Sequence, residues 1–236
     1  PLELLLNGNN QLLESLAGFF EAQKRLSSSG IFMLEPYDPD RIPVILVHGL
    51  VSVPMIWRNL IPELLAEPEI SRHYQFMMFT YPSSYSVAES ALLFRENLAA
   101  LRSHYDPEGQ DPLSTDVIAI GHSMGGMLSH VLTADFGDRL WNQLSDVPLE
   151  ETKFSPKAKA KLRDLVYFDP DPAINRAIFI AAPHRGAKKA MAGIPNLISQ
   201  LVKLPTNLLT STAGILLEPA RMELKIPVTK KMTSIQ

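Results

Sequence analysis

The chain contains no cysteine, which removes disulfides, thiolate nucleophiles and zinc–thiolate sites together. That absence says little about compartment, because secreted proteins also occur without disulfides. Basic residues are not in excess: 22 Lys and Arg stand against 25 Asp and Glu, for a net charge of −3. With no Lys/Arg cluster on a helix face, the electrostatic footprint of a nucleic-acid partner is missing. No apolar run reaches the length of a membrane-crossing helix, and repeats, low-complexity stretches and Asn-X-Ser/Thr acceptor sites are lacking as well. The sequence starts at proline with no basic-then-apolar leader, so any signal or anchor is expected either to have been removed or to lie outside residues 1–236. Nothing in these residues fixes a compartment or an oligomeric state.

What is present is the composition of one globular domain with a sizeable core, 46% hydrophobic and 20% charged. From Asn10 to Leu26, the residues Leu12, Leu13, Leu16, Phe19, Phe20 and Ala22 recur at helical spacing, and Ser27 to Gly30 stop them. This predicts an amphipathic helix packed on the domain; its polar face is not basic, as a membrane-surface helix would need. Ile31 to Leu34 predict a short strand, and Glu35 to Asp40 a turn-rich loop. Pro43 to Leu50 is apolar without alternation, which predicts a strand covered on both faces and hence a parallel central sheet. Ile56, Leu60 and Leu64 predict a helix from Ile56 to Leu65, and Tyr74 to Thr80 the next strand, closed by Tyr81-Pro82. Ser86 and Glu89 form a capping box for a helix with the stripe Val87, Ala91, Phe94, Leu98 and Leu101. Alternating strands and helices predict a three-layer α/β sandwich with right-handed crossovers.

The stretch that organises the rest is Gly121-His122-Ser123-Met124-Gly125-Gly126, which follows the apolar run Val117 to Ile120. Met127, Leu128, Val131 and Leu132 then continue at helical spacing. It reads as a nucleophile elbow: a strand that stops and turns sharply into a helix, leaving Ser123 on a strained backbone above the sheet. A side chain at Gly121 or Gly125 would collide with the neighbouring strand or helix as the turn tightens. Ser123 is therefore the candidate nucleophile. An amide at a helix N-terminus favours an anion, which makes the Met124 N–H a candidate oxyanion donor.

The motifs His48-Gly49-Leu50, Gly121 to Gly126, and Ala181-Ala182-Pro183-His184-Arg185-Gly186 resemble the α/β-hydrolase superfamily. More narrowly they are similar to bacterial lipases and esterases that also resemble GPI inositol-deacylases. The resemblance covers Ile31 to Gly186. It implies a three-layer α/β-hydrolase sandwich with a mostly parallel sheet and helical cap insertions. It also implies that the His48-Gly49 loop lies beside the elbow, so that the Leu50 N–H becomes the second oxyanion donor, with Gly49 turning the chain out of its strand. His48, Gly49, His122 and His184 are expected to shape the site. His184 borders the substrate in such relatives and is not their triad histidine. His73, His104 and His130 have no acidic partner in register and read as ordinary residues.

Two excursions interrupt a single domain over 1–236, at about 136–174 and 188–217. The first is long for a βα connection and reads as a lid or cap. Within it Ser155-Pro156 opens a helix through Leu165, and Lys157, Lys159, Lys161 and Arg163 give that helix a basic, solvated face. Asp169 and Asp171 precede the strand Ala177 to Ala182, so neither is taken as a triad acid. The second excursion is dense in aliphatics from Ile194 to Leu217, which suits an acyl-chain groove, a cap or core packing.

The resemblance implies a serine esterase or lipase acting through an acyl-enzyme on Ser123, with an ester or lipid substrate, no cofactor and no metal. Contact with a membrane surface is left open. A non-catalytic lipid- or partner-binding module of the same fold, and an acyltransferase, are the alternatives. In the superfamily the acid and the histidine follow the nucleophile on later loops, and no such pair is found within 1–236. The strand Ala177 to Ala182 is apolar on both faces and reads as interior. The last strands and the triad Asp and His are therefore expected beyond Gln236, and the piece 1–236 is expected to have residual activity at most.

Overall fold

A computed structural model describes residues 29–184, except 51, 53, 83, 84, 143 and 168. The helix expected at 10–26 and the excursion at 188–217 lie outside the described residues. The described elements run β1 (Gly30–Met33), β2 (Ile42–Val47), a 3-10 turn (Pro54–Trp57), α1 (Leu60–Ala66), α2 (Pro68–His73) and β3 (Tyr74–Thr80). Next come α3 (Val87–Tyr105), α4 (Pro112–Thr115), β4 (Val117–His122), α5 (Met124–Thr133) and α6 (Arg139–Asn142). A second 3-10 turn (Leu149–Glu151), α7 (Pro156–Val166) and β5 (Ile174–Ile180) complete the series. No helix among the described residues is long and apolar enough to cross a membrane.

The strands form one sheet in the order β1-β3-β2-β4-β5, antiparallel only between β1 and β3. The unbroken apolar run of β2 resolves into two faces, because successive side chains point to opposite sides. Ile45 and Val47 join Met77, Phe79, Phe94 and Leu128 in one core, while Val44 and Leu46 join Phe76, Met78, Trp57 and Ile61 in the other. Helices α3 and α5 cover the first face, and the first 3-10 turn with α1 covers the second. Burying each large aliphatic or aromatic side chain on these faces contributes roughly 1.5–3 kcal/mol. The result is the three-layer, mostly parallel sandwich expected from the element order.

Capping follows the sequence closely at α3: Ser86 Oγ accepts from the Glu89 amide at 3.2 Å, and Glu89 Oε2 accepts from the Ser86 amide at 2.8 Å. Ser155 Oγ likewise accepts from the Ala158 amide at 3.2 Å, with Pro156 opening α7. The helix expected from Ile56 to Leu65 is instead a 3-10 turn followed by a separate α1. Pro62 gives the reason. In a helix begun at Ile56 its ring would meet the carbonyl of Arg58, whereas in a helix begun at Leu60 it occupies the first turn, where no amide hydrogen is needed. His73, expected to lack an acidic partner, has one on α2: its Nδ1 stands 2.8 Å from the Glu69 carbonyl oxygen and 3.7 Å from Glu69 Oε2.

The first excursion carries its own apolar cluster, with Trp141, Leu149, Phe154, Leu162 and Leu165 buried, packed against Ala88 and Leu92 of α3. Its far end is fastened by a two-pronged ion pair, Arg102 Nη1 and Nη2 donating to Asp171 Oδ2 and Oδ1 at 2.9 and 2.6 Å. Strand β5 is the edge of the described sheet, and Ile178, Phe179 and Ile180 are 49%, 40% and 39% exposed.

Candidate active site

The topology selects one place for a site. From β2 the chain crosses to β3 on one side of it; from β3 it crosses back over β2 to β4 on the other. The crevice at the carboxyl ends of β2 and β4 is thus a topological switch point, where loops diverge and leave room for a ligand. His48-Gly49-Leu50 leaves β2 there, and Ser123 leaves β4.

Ser123 has φ 53° and ψ −118°, a conformation an L-residue rarely adopts, at a cost of roughly 1–3 kcal/mol. The surroundings hold it in place. Its amide donates to the Ile180 carbonyl at 2.9 Å, and its carbonyl accepts from the Gly126 amide at 3.1 Å. The two flanking glycines permit the turn by what they lack. A Cβ on Gly121 would stand 2.3 Å from the Gly125 carbonyl oxygen, and one on Gly125 would stand 2.2 Å from the Val47 carbonyl oxygen. Helix α5 therefore starts in backbone contact with both β4 and β2.

Gly49 lies against this turn. A Cβ there would be 3.0 Å from Ser123 Cβ and 3.1 Å from His122 Nδ1. Leu50 and Met124 each follow one of the residues in this contact, and among the described residues neither amide donates a hydrogen bond within the chain. For Met124, the first residue of α5, a free amide is the ordinary condition of a helix start.

His48 is buried, 1% exposed, and its Nδ1 lies 2.8 Å from the carbonyl oxygen of Gly49. Burial pushes its pKa down, with the Gly49 hydrogen bond opposing. Tyr81 covers it: the two rings stack at 4.4 Å with planes 3° apart, and the Tyr81 hydroxyl donates to the His48 carbonyl at 2.7 Å. Burial pushes the Tyr81 hydroxyl pKa up, so it remains a donor. The sequence pattern gives Tyr81 no role beyond closing β3. The signal available was an aromatic residue set directly after the carboxyl end of a buried strand and fixed by Pro82.

The His122 ring reaches Gly49, and its Nδ1 is buried without a partner among the described residues. His184 packs edge-on against His130 at 5.1 Å and Phe179 at 4.6 Å between ring centres. His130 lies on α5 two turns beyond Ser123, about 10 Å along the axis. Burial and the neighbouring His184 hold the His130 imidazole below its ordinary value. Among the described residues no imidazole or carboxylate hydrogen-bonds the Ser123 hydroxyl, and no group of three or more His, Cys, Asp and Glu could hold a metal ion. Asp171 is occupied by Arg102, while Arg185 and Gly186 lie outside the described residues.

Against known proteins, a sequence model described as the alpha/beta hydrolase family matches residues 44–223. No curated protein matches the chain. Among solved structures it is similar to a Bacillus licheniformis lipase in mature form, at 16% identity over 82% of this chain and 68% of that one, TM-score 0.39. It is similar to Thermogutta terrifontis esterase 2 phosphoramylated by tabun, at 16% identity over 75% of this chain and 58% of that one, TM-score 0.40. A third is esterase B from Lactobacillus rhamnosis inhibited by a tributyrin phosphonate, at 16% identity over 89% and 68%, TM-score 0.42. The chain thus spans 58% to 68% of the length of these three proteins.

Proposed function

The chain belongs to the alpha/beta hydrolase family, and from that premise we propose that it is a serine hydrolase of carboxylic esters that works through an acyl-enzyme on Ser123. The observation that carries the reading is the Ser123 turn itself: a left-handed serine at φ 53°, N-terminal to α5, set against Gly49 at the switch point of the sheet. Strain of this kind persists only where the surroundings over-determine it, and it clusters at reactive residues.

In this mechanism Ser123 Oγ attacks the ester carbonyl carbon, and the C–O π electrons move onto the oxygen. The Leu50 and Met124 amides donate to that oxyanion, the second from the positive end of α5. A donor of this kind contributes about 3–4 kcal/mol to lowering the barrier. Collapse expels the alcohol and leaves the acyl group on Ser123; water then adds to the acyl carbon, and the second tetrahedral intermediate breaks the bond to Ser123 Oγ, which regains its proton as the carboxylic acid leaves. The base that takes the Ser123 proton is to be sought outside the described residues.

A lipid-like acyl group is supported by apolar side chains at the same end of the sheet. Ile56, in the 3-10 turn that follows β2, and Tyr85, on the loop that leaves β3, are 41% and 38% exposed. The first excursion acts here as a cap: Ala88 and Leu92, on which it packs, sit in the first turns of α3, the end that rises from the carboxyl edge of β3. The test is hydrolysis of p-nitrophenyl butyrate and octanoate by the parent and by Ser123→Ala. The expected loss in kcat is at least about 1,000-fold, since the nucleophile has no substitute. Hydrolysis unchanged by the substitution would remove the assignment.

A further inference from the structure

Gly49 is the most pliable residue of the loop, yet the peptides on both sides of it are pinned. On one side the Tyr81 hydroxyl donates to the His48 carbonyl at 2.7 Å. On the other, the Gly49 carbonyl oxygen lies 2.8 Å from His48 Nδ1. A carbonyl only accepts, so Nδ1 carries the proton and Nε2 the lone pair; Nε2 is buried and has no partner among the described residues. The Gly49 carbonyl and the Leu50 amide belong to one planar trans peptide, and their C=O and N–H bonds point in opposite directions. Whatever holds the carbonyl therefore aims the amide.

We infer that His48 and Tyr81 form a brace that orients the Gly49–Leu50 peptide, pointing the Leu50 N–H at the oxyanion position; the inference rests on the serine-hydrolase reading above. The brace is anchored in the core. Tyr81 stacks on Phe79 at 5.6 Å, and Phe79 on Phe94 at 4.3 Å, so the loop is referred through rings to β3 and α3. Burial keeps the imidazole neutral, as this hydrogen-bond pattern requires. His48 is thus a positioning residue, neither a proton carrier nor a group that touches substrate.

Three variants of the full chain separate this role from simple packing. His48→Asn keeps a nitrogen donor at the same number of bonds from Cα as Nδ1; His48→Leu keeps bulk and removes the donor; Tyr81→Phe keeps the ring and removes the hydroxyl. Misaiming one oxyanion donor costs on the order of 100-fold in kcat. The expected result is that loss in His48→Leu with KM changed less than about twofold, recovery to within tenfold of the parent in His48→Asn, and a loss of about tenfold in Tyr81→Phe. Inhibition by a trifluoromethyl ketone, whose adduct places an oxyanion there, should weaken in parallel with kcat. A folded His48→Leu with parental kcat, or an Asn variant no better than Leu, overturns the brace. Should His48→Leu fail to fold, an unchanged kcat and ketone affinity in Tyr81→Phe does the same. A parent without Ser123-dependent hydrolysis instead overturns the reading beneath it, and the catalytic role of the brace with it.

Discussion

The Ser123 amide donates to the Ile180 carbonyl across 2.9 Å, and at that rung both strands end on left-handed residues, Ser123 at φ 53° and Ala181 at φ 51°. The turn at Ser123 is therefore not held by β4 alone; β5 and the bend that follows it share the constraint.

Ala181 should be intolerant of branching. A left-handed conformation costs an ordinary L-residue roughly 1–2 kcal/mol and a β-branched one more. Ala181→Val is expected to lower stability by about 2 kcal/mol in urea unfolding, and Ala181→Gly to stay within about 1 kcal/mol of the parent. Similar losses in both would mean that the backbone angle is not what matters there.

Gly125 and Gly109 make a second contrast. A methyl group on Gly125 would meet the Val47 carbonyl oxygen at 2.2 Å, while around a methyl group on Gly109, at φ 67°, nothing among the described residues lies within 4 Å. Gly125→Ala has to push α5 off β2 and should cost about 3 kcal/mol or more. Gly109→Ala pays only for its backbone angle, about 1 kcal/mol. Thermal unfolding of the two variants decides it, and a Gly125→Ala as stable as the parent would contradict the contact.

At the loop the roles of backbone and side chain separate. Leu50→Ala leaves the amide in place and is expected to retain most of the parental kcat, whereas Gly49→Val sets a side chain 3.0 Å from Ser123 Cβ and should lower kcat at least 100-fold. Equal losses would show that Gly49 does not position this loop.

Most of this geometry was legible in the chain because it is local. The elbow glycines, the Ser86–Glu89 box and the two-faced strand at Val44 to Val47 each follow from sterics or periodicity within a few residues. Pro62 is a local signal that competes with periodicity: the spacing of Ile56, Leu60 and Leu64 predicts one helix, and the ring splits it. The Tyr81–His48 stack was not legible. It joins residues 33 positions apart on neighbouring strand ends, and only the register of Val47 opposite Phe79 brings them together.

Stability should also fall on the acid side. Burial holds His48 and His130 below the ordinary histidine value of 6.5 in the folded chain. Unfolding lets both take up protons, so below about pH 6.5 the unfolded chain binds more protons than the folded one. Their contribution is complete above that pH and is lost as pH drops toward the folded-state values, at no more than about 1.4 kcal/mol per pH unit for each. Urea midpoints between pH 7.5 and 5 should show this decline, and a smaller one in His48→Asn. A slope unaltered by that substitution would mean that His48 is not kept neutral by the fold.

The account stands on Ser123 as the nucleophile. Incubating the chain with a fluorophosphonate and mapping the adduct by peptide mass spectrometry tests that most directly, with Ser123→Ala as the control. The account predicts one adduct, on the peptide that contains Gly121 to Gly126, blocked by an excess of ester substrate and absent from a folded Ser123→Ala. An adduct on another residue, or none on a chain that nevertheless cleaves p-nitrophenyl esters, would contradict it.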